Sequence, residues 1–221
     1  MLALTLPVKA APEHNAACPA SHIAPLVLPR VKEALDRNTE LTIVAFGSSS
    51  TQGWHSTTIA QSYPAVLQAA LSAALPEAHV AVINRGIGGQ DAAEMVPRID
   101  RDPEKFRQLV LEGVRKLSDA SVDVVLMDNQ RAPAILAAPH HLQIDQALVD
   151  ISTRTSTGLF DRGALMDQWQ LSGHPYEQFM SSDGVHHNDF GYHCIARALA
   201  SAILDGLHQP PAAVRSASVR R

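Results

Sequence analysis

The chain has 221 residues, and its 18 basic and 22 acidic side chains leave a formal net charge of −4. Hydrophobic residues make up 46% of the sequence, which is enough for a packed core and too much for a disordered chain. The mild acidity offers no general attraction for nucleic acid, and no apolar stretch is long enough to span a membrane. We therefore expect one globular domain, no nucleic-acid partner and no membrane span.

Short apolar runs alternate with helical patterns along the middle of the chain. The strand-like runs are residues 41–46, 80–83, 122–127 and 158–160. Helical patterns follow at residues 62–74, 102–117, 144–151 and 195–203. Strands that alternate with helices predict an α/β fold with a mostly parallel sheet covered on both faces.

The two ends of the chain lack such periodicity. Residues 1–30 are expected to form a flexible arm or signal remnant, and residues 209–221 a flexible basic tail, which leaves residues 31–208 as the domain. A signal remnant favours a secreted or periplasmic protein over a cytoplasmic one. Cys18 and Cys194 would pair in an oxidising compartment, but two free thiols are the expectation.

Polar residues that can support nucleophilic chemistry follow the first strand and precede the last helix. Ser48, Ser49 and Ser50 stand between two glycines, and Asp183 and His186 lie three residues apart far downstream. A serine hydroxyl needs a base such as imidazole, and the imidazole benefits from a carboxylate that fixes its tautomer. Each group alone is typical of a turn, a helix cap or a surface loop. Their combination indicates a serine hydrolase.

Three blocks of the sequence resemble those of the SGNH, or GDSL, hydrolases. The first is residues 43–53, in which Ser48 replaces the family's usual aspartate. The second is residues 84–89, and the last is residues 183–186 followed by Asn188. The resemblance extends from about residue 41 to residue 204 and implies a flavodoxin-like three-layer α/β/α sandwich.

The resemblance also implies a function and a set of site residues. Ser49 would be the nucleophile, His186 the base and Asp183 the acid of a catalytic triad. The backbone amides of Ser49 and Gly89 would form the oxyanion hole, with Asn129 as a further donor. The implied activity is hydrolysis of short-acyl or O-acetyl esters through an acyl-enzyme, with a small ester or acylated sugar as substrate and no cofactor or metal.

One block of the family has no obvious counterpart. The third block, a strand ending in Gly-x-Asn, is absent between Gly89 and the helix that Pro103 opens. Two interpretations stay open. Residues 124–130 fill the slot and make Asn129 the oxyanion donor, or they are the family's next strand and one central strand is missing. Loss of one oxyanion donor removes on the order of 3 kcal/mol of transition-state stabilisation, which slows an esterase without abolishing it.

Other functions could use residues near the same three blocks. His186, His187, His193 and Cys194 match no zinc-binding spacing, so no metal site is expected. Trp54 either lines an acyl or sugar pocket or is an ordinary half-buried aromatic. Two alternatives to ester hydrolysis stay open: a weak or inactive module that binds acylated glycans, and acyl transfer to a sugar hydroxyl. The sequence does not indicate the oligomeric state.

Overall fold

The structure is a computed structural model that describes residues 17–88 and 103–209. Its strands are β1 (Leu41–Gly47), β2 (Val80–Gly86), β3 (Val125–Met127) and β4 (Gly158–Phe160). Its helices are α1 (Pro29–Asp36), α2 (Ser49–Gln52), α3 (Tyr63–Ala74), α4 (Pro103–Asp119), α5 (Pro133–Leu136), α6 (His141–Thr155), α7 (Arg162–Leu171) and α8 (Asp189–Leu207). Two single 3₁₀ turns lie at Ile59–Gln61 and Tyr176–Gln178. No helix in the described ranges is long and apolar enough to cross a membrane.

The strands form two parallel pairs, which confirms the predicted α/β class. β1 pairs with β2 from Leu41 opposite Val80, and β3 pairs with β4 from Val125 opposite Gly158. Across the part of the chain that the structure describes, no strand joins the two pairs. Because β3 pairs with β4 and not with β1, the topology favours the interpretation that residues 124–130 are the family's next strand.

The core lies around α3 and α8, which pack against each other, and α3 also packs against β2. Leu67 and Leu71 of α3 are buried. On α8, Ile195, Leu199 and Ile203 recur every four residues and are all buried. This spacing places them on one face of the helix, so the apolar stripe seen in the sequence is the face that packs. α8 thus connects the core with the loop that precedes it, which carries Asp183 and His186.

Residues 17–30 pack against the domain, which corrects the expectation of a flexible arm over residues 1–30. Leu26 and Leu28 are buried in the core, and the backbone N–H of Leu26 donates to the carbonyl of Ala202 at 2.8 Å. The sequence showed no periodicity here because an extended segment held by a few apolar side chains has none. Residues 1–16 and 210–221 lie outside the described residues, and with them most of the expected arm and tail.

Cys18 and Cys194 form a disulfide, which corrects the expectation of two free thiols. The two cysteines are separated by 176 residues along the chain and join the N-terminal segment to α8. Composition alone could not place these sulfurs side by side, because their approach depends on how the N-terminal segment runs along α8.

Candidate active site

Ser49 is the first residue of α2, directly beyond the end of β1, and only 2% of its surface is exposed. α2 approaches the ends of both β1 and β2 closely. A Cβ atom at Gly47 would lie 2.2 Å from Thr51 Oγ1, and one at Gly86 would lie 2.2 Å from the backbone nitrogen of Gln52. Glycine at both strand ends therefore permits the tight turn that holds Ser49.

Ser49, His186 and Asp183 form a continuous hydrogen-bonded relay. Ser49 Oγ lies 2.7 Å from His186 Nε2, and His186 Nδ1 lies 2.5 Å from Asp183 Oδ2. A carboxylate can only accept hydrogen bonds, so Nδ1 of His186 carries the proton in this arrangement. Nε2 is then left to accept from the Ser49 hydroxyl. The structure thus brings together the three residues predicted as nucleophile, base and acid.

The carboxylate of Asp183 is held by several donors besides His186 Nδ1. Its Oδ1 accepts from Ser181 Oγ at 2.5 Å and from the backbone N–H groups of Val185 and His186 at 3.0 and 2.9 Å. Partial burial by itself raises the pKa of Asp183, but the hydrogen bond with the His186 side chain, together with those from Ser181 and the backbone, outweighs it and holds the pKa well below its usual range. Asp183 is therefore ionised at neutral pH.

His55 is a residue of this site that the sequence did not single out. Its Nε2 lies 3.1 Å from Asp183 Oδ2, the same oxygen that His186 contacts. Its ring stacks on the ring of His186, with centroids 5.4 Å apart and planes 21° from parallel. His55 has a left-handed backbone with φ of +63°, which is uncommon for a residue other than glycine. No local motif marks such a contact between distant loops.

The loop that carries His55 is held in place by the start of α8. Asp189 accepts from the backbone N–H of Thr57 at 2.8 Å and from Thr57 Oγ1 at 2.6 Å. The hydroxyl of Tyr192 donates to the carbonyl of Trp54 at 2.8 Å. The ring of Trp54 lies 5.9 Å from that of His186, and its side chain is exposed beside the triad.

Gln52 links the loop after β2 to Trp54, another role that the sequence did not reveal. Its Oε1 accepts from the backbone N–H of Gly88 at 2.7 Å and from Trp54 Nε1 at 3.0 Å. Asn84 supports the same turn, because its Oδ1 accepts from the N–H of Gly86 at 2.8 Å. The chain is thereby oriented just before Gly89. Gly89, the predicted oxyanion donor, lies outside the described residues.

Asn129, the other predicted oxyanion donor, is directed toward α6. Its Nδ2 donates to Asp145 Oδ1 at 3.4 Å, so the hydrogen bond it makes is to that helix and not to the triad. The next residue, Gln130, is buried and donates to the carbonyl of Val185 at 2.8 Å. Gln130 thus supports the loop that carries Asp183 and His186, while Asn129 is not brought to the triad in this arrangement.

The zinc cluster considered from the sequence is not assembled. Cys194 is in the disulfide with Cys18 and offers no thiolate. His187 is fully buried, with Nδ1 lying 3.2 Å from the carbonyl of Phe179. Burial, and then the positive charge of Arg162, lower the pKa of His187 to about 3, so the ring is neutral and acts as a core side chain.

Buried polar groups also lie at the end of β3 and the start of α7. Arg162, at the start of α7, is buried and donates to the carbonyl of Asp128 at 2.5 Å. The Asp128 carboxylate accepts from the N–H of Gly163 with both oxygens at 3.1 Å. Burial raises the pKa of Asp128 to about 7, and the attraction of Arg162 opposes this only in part.

Comparison with known proteins identifies the fold. Neither a known family model nor a curated protein matches the chain. A solved two-domain esterase active on acetylated mannans does, with 21% identity and a TM-score of 0.66 over 83% of this chain and 55% of that one. The chain therefore spans about half the length of that two-domain protein.

Two single-domain-sized structures match at lower identity. A member of the lipolytic G-D-S-L family from Veillonella parvula has 15% identity and a TM-score of 0.54 over 72% of this chain and 96% of that one. A lipase/acylhydrolase from Enterococcus faecalis has 17% identity and a TM-score of 0.56 over 73% and 94%. Together with the three sequence blocks, these likenesses show that the chain has the α/β fold of the G-D-S-L, or SGNH, hydrolases.

Proposed function

We propose that the protein is a hydrolase of carboxylic esters that acts through an acyl-enzyme on Ser49. The observation that carries the proposal is the relay from Ser49 Oγ through His186 to Asp183, with contacts of 2.7 and 2.5 Å. A buried serine with an imidazole base and an ionised carboxylate behind it is the arrangement that activates a hydroxyl for attack on a carbonyl. An exposed serine that lies in a turn or caps a helix does not require an imidazole and a carboxylate behind it.

The relay accounts for both halves of the reaction. As Ser49 Oγ attacks the ester carbonyl, His186 Nε2 takes its proton, and Asp183 stabilises the imidazolium that forms. The tetrahedral intermediate collapses, the alcohol leaves with the proton from His186, and the acyl group stays on Ser49. Water then attacks the acyl-enzyme with His186 again as the base, which releases the acid and restores the serine.

The oxyanion of the intermediate would be held by backbone donors. The amide of Ser49 lies at the start of α2, and Gln52 orients the turn that leads into Gly89. We assign the oxyanion hole to the amides of Ser49 and Gly89. Asn129 contributes only if its side chain leaves Asp145, so we expect it to add less than a donor that is already in place.

The substrate we propose is a short acyl ester, with an O-acetylated sugar as the natural class. The exposed ring of Trp54 lies 5.9 Å from the ring of His186 and offers a flat apolar surface of the kind that packs against a sugar. The structurally similar two-domain esterase acts on acetylated mannans, which points to the same class. The disulfide between Cys18 and Cys194 is typical of secreted and periplasmic proteins and favours such a location.

Hydrolysis assays on matched variants test this function. Wild type is expected to release acetate from p-nitrophenyl acetate and from acetylated mannooligosaccharides, whereas Ser49→Ala and His186→Ala lose turnover and keep a native circular dichroism spectrum. Ser50→Ala, one residue along the same helix, is the control and should retain most of the activity. Undiminished hydrolysis by Ser49→Ala would contradict the nucleophile assignment.

The position of Asn129 supports a second candidate, a non-catalytic module that binds acylated glycans. On that account wild type binds acetylated mannooligosaccharides, and its hydrolysis does not exceed that of Ser49→Ala. Acyl transfer is a further outcome of the same assay: addition of a non-acetylated sugar would then divert the acyl group from water to the sugar, as product analysis would show.

A further inference from the structure

Three atoms of the kind that bind transition metals converge at the triad. They belong to His55, Asp183 and His186, and all lie within 4.8 Å of one another. Nε2 of His55 and Nδ1 of His186 are the atoms that contact Asp183 Oδ2. In the part of the chain that the structure describes, this is the only such group of three His, Cys, Asp or Glu residues. Of the three, only His55 has no part in the proposed reaction.

We propose that His55, Asp183 and His186 form a binding site for a divalent transition-metal cation such as Zn²⁺, and that the bound cation switches the triad off. Zinc binds imidazole nitrogen and carboxylate oxygen at about 2.0–2.2 Å, and three protein ligands with one open position make a usual zinc site. The contacts of Asp183 Oδ2 with His186 and His55, at 2.5 and 3.1 Å, need only a small outward movement of the side chains to admit the ion.

The cation can reach this position from solvent. The side chain of His55 is 40% exposed and that of Asp183 is 23% exposed, whereas His186 is buried beneath them. The ion would therefore enter between His55 and Asp183, and water would fill the remaining position of the tetrahedron.

The position of His55 as a metal ligand is fixed before an ion binds. Its loop is tied to α8 through Thr57 and Asp189, and the stack on His186 limits the tilt of its ring. A ligand that is already in place loses little conformational entropy when the ion binds. The left-handed backbone at His55 indicates that the surrounding loop fixes this residue in a conformation it would not adopt alone.

The donor set also selects the ion. Two imidazole nitrogens and one carboxylate suit zinc, copper and nickel, whereas magnesium and calcium prefer sites made of oxygen ligands. Mg²⁺ is therefore expected to have no effect at a concentration at which Zn²⁺ saturates the site.

Binding would inactivate the base by moving a proton within the imidazole. In the free protein Nδ1 of His186 carries the proton and Nε2 accepts from Ser49. A cation that binds Nδ1 displaces the proton of that nitrogen and uses its lone pair. The displaced proton passes through solvent to Nε2, so the ring stays neutral. Nε2 then donates toward Ser49 and cannot accept its proton. This effect on catalysis rests on the proposed function, whereas the binding of the ion does not.

Zinc binding to the metal-free full chain tests the site without reference to activity. Zn²⁺ is titrated into wild type, Ser49→Ala, His55→Phe and His79→Ala in competition with a chromophoric zinc indicator. His55→Phe keeps an aromatic ring to stack on His186 and loses the ligand. His79, whose exposed side chain lies 3.5 Å from Glu40, provides the control. The circular dichroism spectra of all four proteins verify that they fold.

We expect wild type, Ser49→Ala and His79→Ala to bind one zinc ion with the same affinity, and His55→Phe to bind at least about tenfold more weakly. Zn²⁺ should also suppress ester hydrolysis by wild type, with recovery on addition of a chelator, and His55→Phe should lose this sensitivity relative to its own metal-free rate. No zinc binding by wild type, or equal affinity in His55→Phe, would overturn the proposal. Zinc binding without any hydrolysis would overturn the proposed function and leave the metal site standing.

Discussion

Ser49 and the outer face of the β1–β2 pair lie a few residues apart in the chain, yet they differ in how they are covered. Ser49 is 2% exposed, whereas Phe46, three residues earlier, is 85% exposed. Val44 and Ile83, which are opposite each other in the strand register, are also exposed. Alternate residues of β1, such as Leu41 and Ala45, are buried instead, as expected for a strand packed on one face only.

This difference shows where the support of the triad comes from. Asp183 and His186 are fixed by hydrogen bonds within their own loop and by Gln130 beneath it, and the loop at His55 is tied to α8. None of these contacts requires a strand next to β1. Ser49, His186 and Asp183 can therefore come together although the described strands form two separate pairs. Of the two further oxyanion donors expected from the sequence, Asn129 is held at α6 and Gly89 lies outside the described residues.

The largest expected effect tests the triad side of this comparison. Asp183→Asn keeps the size of the side chain but removes the charge that stabilises the imidazolium and fixes its tautomer, so turnover should fall by at least about 10³-fold. Steady-state hydrolysis of p-nitrophenyl acetate measures it, with Asp205→Asn at the exposed end of α8 as the control. A fall of less than about tenfold would mean that the relay is not the source of the activity.

The disulfide anchors the N-terminal segment to α8, which also holds the loop of His55. Cys18→Ser is expected to lower the free energy of unfolding by about 2–4 kcal/mol, because the cross-link closes a long loop in the unfolded chain. Urea unfolding with and without reductant measures this loss. The stability of the variant should not change with reductant. If the stability of wild type does not change either, the disulfide is not formed.

Asp128, which is buried beside Arg162, predicts a dependence of stability on pH. Its pKa of about 7 in the folded protein lies above the unfolded value, so the folded state binds more protons and wild-type stability falls as pH rises from about 4 to 7. Asp128→Asn cannot ionise. Relative to wild type, it should gain about 2 kcal/mol between pH 5 and pH 8 in urea unfolding. A pH-independent difference would contradict the burial of the carboxyl group.

The smallest expected effect tests whether the outer face of β1 is exposed to solvent. Phe46→Ala should change the free energy of unfolding by no more than about 0.5 kcal/mol, because the ring is exposed. Phe160→Ala, in the core at the end of β4, is the matched control and should lower it by about 3–5 kcal/mol. A loss at Phe46 comparable to that at Phe160 would show that this face is covered in solution.

The sequence predicted the strands, and it singled out Ser49, Asp183 and His186, because these signals are local. β1 and β2 are apolar runs that end in glycine, and Ser49 directly follows one of them. β3 begins at Val125, later than predicted, so Val122 lies outside the strand. α7 was not predicted, although its buried side chains Leu165, Met166 and Trp169 lie at helical spacing. Its start is set by Asp161, whose side chain accepts from the N–H of Ala164.

The remaining parts of the site depend on long-range contacts that no local pattern records. His55 reaches Asp183 through a left-handed backbone and a loop held by α8, and Cys18 reaches Cys194 because the N-terminal segment packs along the same helix. Asn129 was a candidate because it follows a strand, but its direction is set by Asp145 of α6. In each case the partner belongs to another element of the fold, so only the folded chain shows the contact.

Covalent labelling with a fluorophosphonate tests the central claim, that Ser49 is an activated nucleophile, most directly. The reagent reacts with a serine only when a neighbouring base activates it. Mass spectrometry of wild type should show one adduct, on the peptide that contains residues 48–50, with the modified side chain at Ser49, and Ser49→Ala should show none. An adduct on another serine, or none on folded wild type at a reagent excess that labels a known serine hydrolase, would contradict the account.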